Sequence, residues 1–157
     1  MSMEESFFSA VREDDLDEVE SLLAENPDLV HARMPGDSSI LDHQVWENLK
    51  KVQVSEDETR FGMALHYAAL WGKSELARLL LSHGADPNAV AYENNHEQTT
   101  PVVLAAWEGG LEMLELILEA GGDPNAQSSN GVTPLSTAQR HQNADRVELL
   151  KRFGAVE

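Results

Sequence analysis

Cysteine is absent from the 157-residue chain. That removes disulfides, thiolate nucleophiles and cysteine-ligated zinc in one step. Cations are scarce too: 11 Lys and Arg stand against 28 Asp and Glu, a net charge of −17. Such a balance repels phosphate backbones and anionic bilayers, so neither nucleic acid nor a membrane surface is expected as a partner. Apolar runs stay short, as in Leu79-Leu80-Leu81, whereas a spanning helix needs roughly 20 apolar residues. The opening Met1-Ser2-Met3-Glu4-Glu5 places acid where a secretory signal has a basic n-region. A soluble, cytoplasmic protein is expected. There is also no glycine-rich phosphate loop, no Gly-x-Ser-x-Gly elbow and no His-Glu-x-x-His pair. No enzymatic activity and no cofactor are expected.

The acids that are present concentrate at one end. Residues 1–28 hold ten of them, six between Glu13 and Glu20, with Arg12 as the sole cation. Charge runs of this kind solvate a terminal face. They also offer a docking face to a basic partner.

Internal similarity organises the rest. Met63-Ala64-Leu65-His66-Tyr67-Ala68-Ala69 leads through Gly72 to Glu75-Leu76-Ala77-Arg78-Leu79-Leu80-Leu81 and Gly84-Ala85-Asp86-Pro87-Asn88-Ala89. Thr100-Pro101-Val102-Val103-Leu104-Ala105-Ala106 leads through Gly109 to Glu112–Leu118 and Gly121-Gly122-Asp123-Pro124-Asn125-Ala126. Thr133-Pro134-Leu135-Ser136-Thr137-Ala138 precedes Val147-Glu148-Leu149-Leu150 and Gly154-Ala155. Thr100 to Thr133 is a step of 33 residues, and Met63 to Thr100 one of 37.

Each segment predicts two helices and a turn. Thr before Pro starts the first helix, its hydroxyl capping free amides while Pro loses no hydrogen bond there. Paired alanines let neighbouring helices pack closely. Gly72 and Gly109 are expected to end the first helices in the left-handed conformation, and Gly84 and Gly121 the second. The second helices show one apolar stripe, as in Leu76, Leu79 and Leu80. Asp-Pro-Asn-Ala reads as the turn leading out.

This 33-residue step, with its Thr-Pro-Leu-His-like and Gly-Ala-Asp-Pro-Asn-Ala-like signatures, resembles the ankyrin-repeat family. The resemblance covers residues 59–155. Met63-Ala64 departs from Thr-Pro, and Val103 and Ser136 from the motif's His. A weaker unit precedes, with Phe7 on Leu65, Ala10 on Ala68 and Leu22-Leu23 on Leu80-Leu81. The resemblance implies an all-α ankyrin-repeat solenoid of about four repeats. They comprise a degenerate N-terminal cap repeat over 1–32, an insertion over 33–58, repeats over 59–91 and 97–128, and a C-terminal cap repeat over 130–155. It also implies a protein–protein interaction module, an adaptor or inhibitor acting as a monomer, whose partner is another protein, one with a basic surface on charge grounds.

Two insertions individualise the chain. Ala126 to Thr133 spans 7 residues, Ala89 to Thr100 spans 11, and Ala32 to Met63 spans 31. Such insertions map to loops, often on the binding face. Within the longer one, Leu41, Val45, Leu49 and Val52 make a helical stripe, which predicts a helix over about 40–51 with Trp46 at its edge.

The candidate partner-binding residues follow from the resemblance. In an ankyrin unit, the two residues between the Ala-Ala pair and Gly face the concave groove. Here they are Leu70-Trp71, Trp107-Glu108 and, by alignment, Arg140-His141. Tryptophan at variable, exposed positions fits a binding anchor. Tyr92 and Trp46 extend the same candidate surface from the two insertions. Of the six histidines, His66 belongs to the repeat motif and His83 sits at a helix C-terminus, where cations are favoured. His43 and Glu47 lie one helical turn apart, the basis for an alternative metal-dependent enzyme sited in 33–58. No metal ligand set is otherwise apparent. A self-associating structural spacer is the other alternative.

Overall fold

The computed structural model describes residues 1–33, 63–93, 97–128 and 131–157. The predicted helix over 40–51, with Trp46, His43 and Glu47, lies outside the described residues.

The acidic N-terminal segment forms a full helical pair. Helix α1 spans Met3–Glu13 and α2 spans Leu16–Glu25. Ser2 and Glu5 close a capping box: the Glu5 carboxylate accepts from the Ser2 amide at 2.6 Å, and the Ser2 hydroxyl accepts from the Glu5 amide at 3.1 Å. These bonds hold the Glu5 carboxyl below its ordinary range. Asp14 turns the chain at φ 59°, and Asp15 caps α2 by accepting from the Glu18 amide at 3.1 Å. The pair buries Phe7, Phe8, Val11, Val19 and Leu23, with the two phenyl rings edge-on at 5.2 Å. Only this apolar stripe is hidden; the acids face solvent.

Three further pairs follow. Helix α3 covers Ala64–Trp71 and α4 Ser74–Ser82. After a two-stranded antiparallel hairpin, β1 Ala91–Glu93 with β2 Glu97–Thr99, comes α5 Pro101–Leu104. It runs on as a π-turn over Ala105–Gly109 into α6, Leu111–Glu119. The last pair is α7, Pro134–Arg140, with α8, Ala144–Arg152. Helices α3, α5 and α7 pack side by side as an inner row, while α2, α4, α6 and α8 form an outer row. One continuous core runs between the rows, from Phe7 through Leu65, Leu76, Leu104 and Met113 to Leu135 and Leu150. Each pair is amphipathic on one side only and buries that side against its neighbour.

Cap chemistry differs from pair to pair, as the departures from the motif require. Thr133 and Ser136 close a reciprocal box, at 3.1 and 3.0 Å. Thr100 makes no side-chain cap bond, contrary to expectation. Val103 stands three residues on, where Ser136 and His66 accept from the cap residue's amide in the other units, and the buried Thr100 hydroxyl has no partner among the described residues. Before α3, His66 does the capping from inside the core. Its Nδ1 accepts from the Met63 amide at 3.1 Å and its Nε2–H donates to the Ala89 carbonyl at 2.8 Å. Complete burial pushes the imidazole down to about 4, against the upward pull of its bond to Ala89; Arg33 lowers it further. Arg33 itself donates to the Val90 carbonyl at 3.1 Å, so the first pair and the turn after α4 meet here.

The Asp-Pro-Asn-Ala turn does more than lead the chain out. Asp86 accepts from the Asn88 amide at 2.8 Å, shaping the turn so that the Asn88 side chain points at the next unit. There it donates to the Gly121 carbonyl at 3.0 Å and accepts from the Asp123 amide at 2.7 Å. Asn125 repeats this on the Gly154 carbonyl, at 3.1 Å, and the Val156 amide, at 2.9 Å. One amide side chain thus satisfies a donor and an acceptor of its neighbour's turn.

Two predictions follow from these contacts. Asn88→Ala should cost about 1–3 kcal/mol in urea unfolding, since two backbone groups lose their partner; a change below about 0.5 kcal/mol would show water substituting for it. His66 folds in its neutral form, so its contribution is complete above pH 6.5 and is lost as pH falls from 6.5 towards 4. The total is on the order of 3 kcal/mol. The wild-type unfolding midpoint should decline over that window relative to His66→Gln, and parallel profiles would contradict the assignment.

Candidate partner-binding surface

The turn between inner and outer helix is the same in three of the four pairs. The position two residues before the outer helix begins is left-handed at Asp14 (φ 59°), Gly72 (φ 65°) and Gln142 (φ 54°). The residues just before it therefore emerge at corresponding places. They are Arg12-Glu13, Leu70-Trp71 and Arg140-His141, with Trp107-Glu108 at the same sequence register in the third pair.

The structure separates these candidates by exposure. Trp71 is 54 % exposed, and its ring lies 6.4 Å from that of Tyr67, tilted at 48°. Glu108 and His141 are exposed, His141 as the residue that ends α7. Trp107 is half-buried and rests against the core. Leu70 is 5 % exposed, which corrects the expectation of a surface leucine. It belongs to the continuous hydrophobic core, so it contributes packing. Tyr92 belongs to β1, opposite Gln98 of β2. Trp46 lies outside the described residues.

The third pair breaks the pattern. Gly109 is not left-handed, contrary to expectation; Gly110 takes the positive φ instead, at 91°. A methyl group on Gly109 would fall on the Ala69 carbonyl oxygen, and one on Gly72 would sit 2.9 Å from the Gly109 oxygen. In the turn geometry seen here, glycine at both places is thus required by close approach of consecutive turns. The Ala106 and Trp107 carbonyls accept from Arg146 Nη1 of α8, at 2.7 and 2.6 Å. Arg146 falls in the C-terminal cap repeat expected over 130–155, and nothing in the sequence analysis singled it out. The available signal was its register: it falls 33 residues after Met113 and 70 after Leu76, both completely buried.

Charge is uneven along the array. Residues 1–33 carry ten acids and two cations, residues 97–128 six acids and no cation, and residues 131–157 three acids and four cations. Several cations are already engaged: Lys73 with Asp14 at 3.4 Å, and Arg78 with Glu112 at 3.0 Å and Glu75 at 3.4 Å. Exposed pairs like these add at most about 1 kcal/mol each. Helices α2 and α6 carry carboxylates and no cation of their own.

Among the described residues, no three His, Asp or Glu side chains are grouped so as to hold a metal ion. No helix among them is long and apolar enough to cross a membrane. Comparison with curated proteins finds no match. A family model for ankyrin repeats matches residues 7–128 in three copies. Ankyrin repeats generally serve as protein-interaction modules and are typically non-enzymatic. With the helix pairs, the glycine-ended turns and this match over most of its length, the chain belongs to the ankyrin-repeat family.

Proposed function

We propose that this chain is a protein-binding module, an adaptor or inhibitor, which grips a partner with a basic surface. The contact lies along the row of turn residues Trp71, Trp107, Glu108 and His141 and extends along the inner helices towards the β1–β2 hairpin, which leads into the other end of α5. The observation that carries this reading is the exposure of Trp71, at 54 %. An indole that stays more than half exposed at the end of an inner helix offers a partner that covers it a large, rigid contact. Glu13 and Glu108 occupy the corresponding positions on either side, so the apolar anchor sits between carboxylates. The net charge of −17 supports a cationic partner by speeding encounter, and the local carboxylates support its orientation.

The test is affinity capture from native lysate, followed by measurement of the captured partner's affinity. Trp71→Ala should weaken binding by about 2 kcal/mol, roughly thirty-fold, with the melting temperature lowered by less than about 3 °C. The wild-type association rate should also fall markedly between low and high salt. Equal capture by both proteins, or a large loss of melting temperature in the variant, would overturn this reading.

A further inference from the structure

Arg146 occupies a position that the repeat reserves for an apolar side chain. In the two preceding units that position holds Leu76 and Met113, neither of them exposed. Arg146 is only partly buried, with its Nη1 directed back at the third pair, where it bridges the Ala106 and Trp107 carbonyls. Its Nε is buried without a partner among the described residues. A guanidinium brought into a core position at that cost must be compensated by what its other nitrogens bind. Here Nη1 binds the only π-turn among the described residues.

The two anomalies account for each other. A π-turn leaves carbonyls turned away from the helical ladder, and those carbonyls need a donor. In the other pairs the position of Gly109 is left-handed and the inner helix ends without a π-turn. Gly109-Gly110 is also the one αα-turn here with two consecutive glycines, so the backbone can place its positive φ at either residue. The choice between them decides where Trp107 and Glu108 emerge.

We infer that Arg146 is a positioning residue for the partner-binding row. By bonding the Ala106 and Trp107 carbonyls it holds the third pair in a π-turn and so sets how Trp107 and Glu108 are presented. Without it the turn relaxes to the register of the other three pairs, with Gly109 left-handed. The geometry stands by itself; its consequence for recognition rests on the binding role proposed above.

The test needs no partner. In ¹H–¹⁵N spectra of the full chain, Arg146→Ala should shift the Trp107 indole N–H and the Gly109 and Gly110 amides, and leave the Trp71 indole in place. Gly109→Asn reaches the same state by another route. A side chain there collides with the Ala69 carbonyl in the π-turn, while asparagine tolerates the left-handed conformation that Asp14 and Gln142 already adopt. Its Trp107 indole should move to the position seen in Arg146→Ala. Arg146→Lys, which keeps a cationic donor, should stay closer to wild type. A folded Arg146→Ala protein with unmoved Trp107 and Gly109 signals overturns the inference, as does a different Trp107 position in Gly109→Asn. If Arg146→Ala does not fold, an unmoved Trp107 in Gly109→Asn overturns it alone. These outcomes are independent of the capture experiment, so failure of one reading leaves the other intact.

Discussion

The close backbone approach of consecutive αα-turns is the constraint on which this array depends. No helical pair here can bury its apolar side alone, so each must sit hard against the next. At the turns, Gly72 and Gly109 leave no room for a side chain between one backbone and the next. At the opposite ends, Asn88 and Asn125 reach across to a carbonyl and an amide of the following unit. Between these two seams the alanines at 68, 69, 105 and 106 are fully buried, and the leucine stripes of the outer helices close the core behind them. Stacking this tight makes the turn residues a row at regular spacing, and a row is what a binding surface needs.

Much of this could be read from the residues. The repeat, its glycine stops at Gly72, Gly84 and Gly121, and the helical stripes follow from local rules, because each depends on neighbours within a few positions. His66 was recognisable as part of a motif, and its capping of α3 from within the core agrees with that. What escaped the sequence depends on a second unit. Asn88 reads locally as a turn residue, and only the stacked structure shows it bonding 33 residues away. Leu70 stands at a nominally exposed position yet is buried in the core. Gly109 and Gly110 are interchangeable to a local rule; a guanidinium from α8 decides between them. The expected insertion helix and Trp46 lie outside the described residues.

The charge distribution fits a division of labour between the two rows. Acids on α2 and α6 face away from the core and set a long-range negative field, which acts on approach and is screened by salt. The turn row is nearly balanced in sign, with Arg12 and Arg140 near its ends and carboxylates beside Trp71. Short-range selection would therefore come from the indole and from the order of charges around it, and speed from the outer helices.

The most direct measurement of where a partner lies is site-specific photocrosslinking, with benzoylphenylalanine introduced singly at 71, 108 and 119. Positions 71 and 108 lie on the turn row, whereas Glu119 is an exposed residue at the far end of α6. The account predicts crosslinks to the partner from 71 and 108 and none from 119. Crosslinking from 119 with silence at 71 and 108 would contradict it.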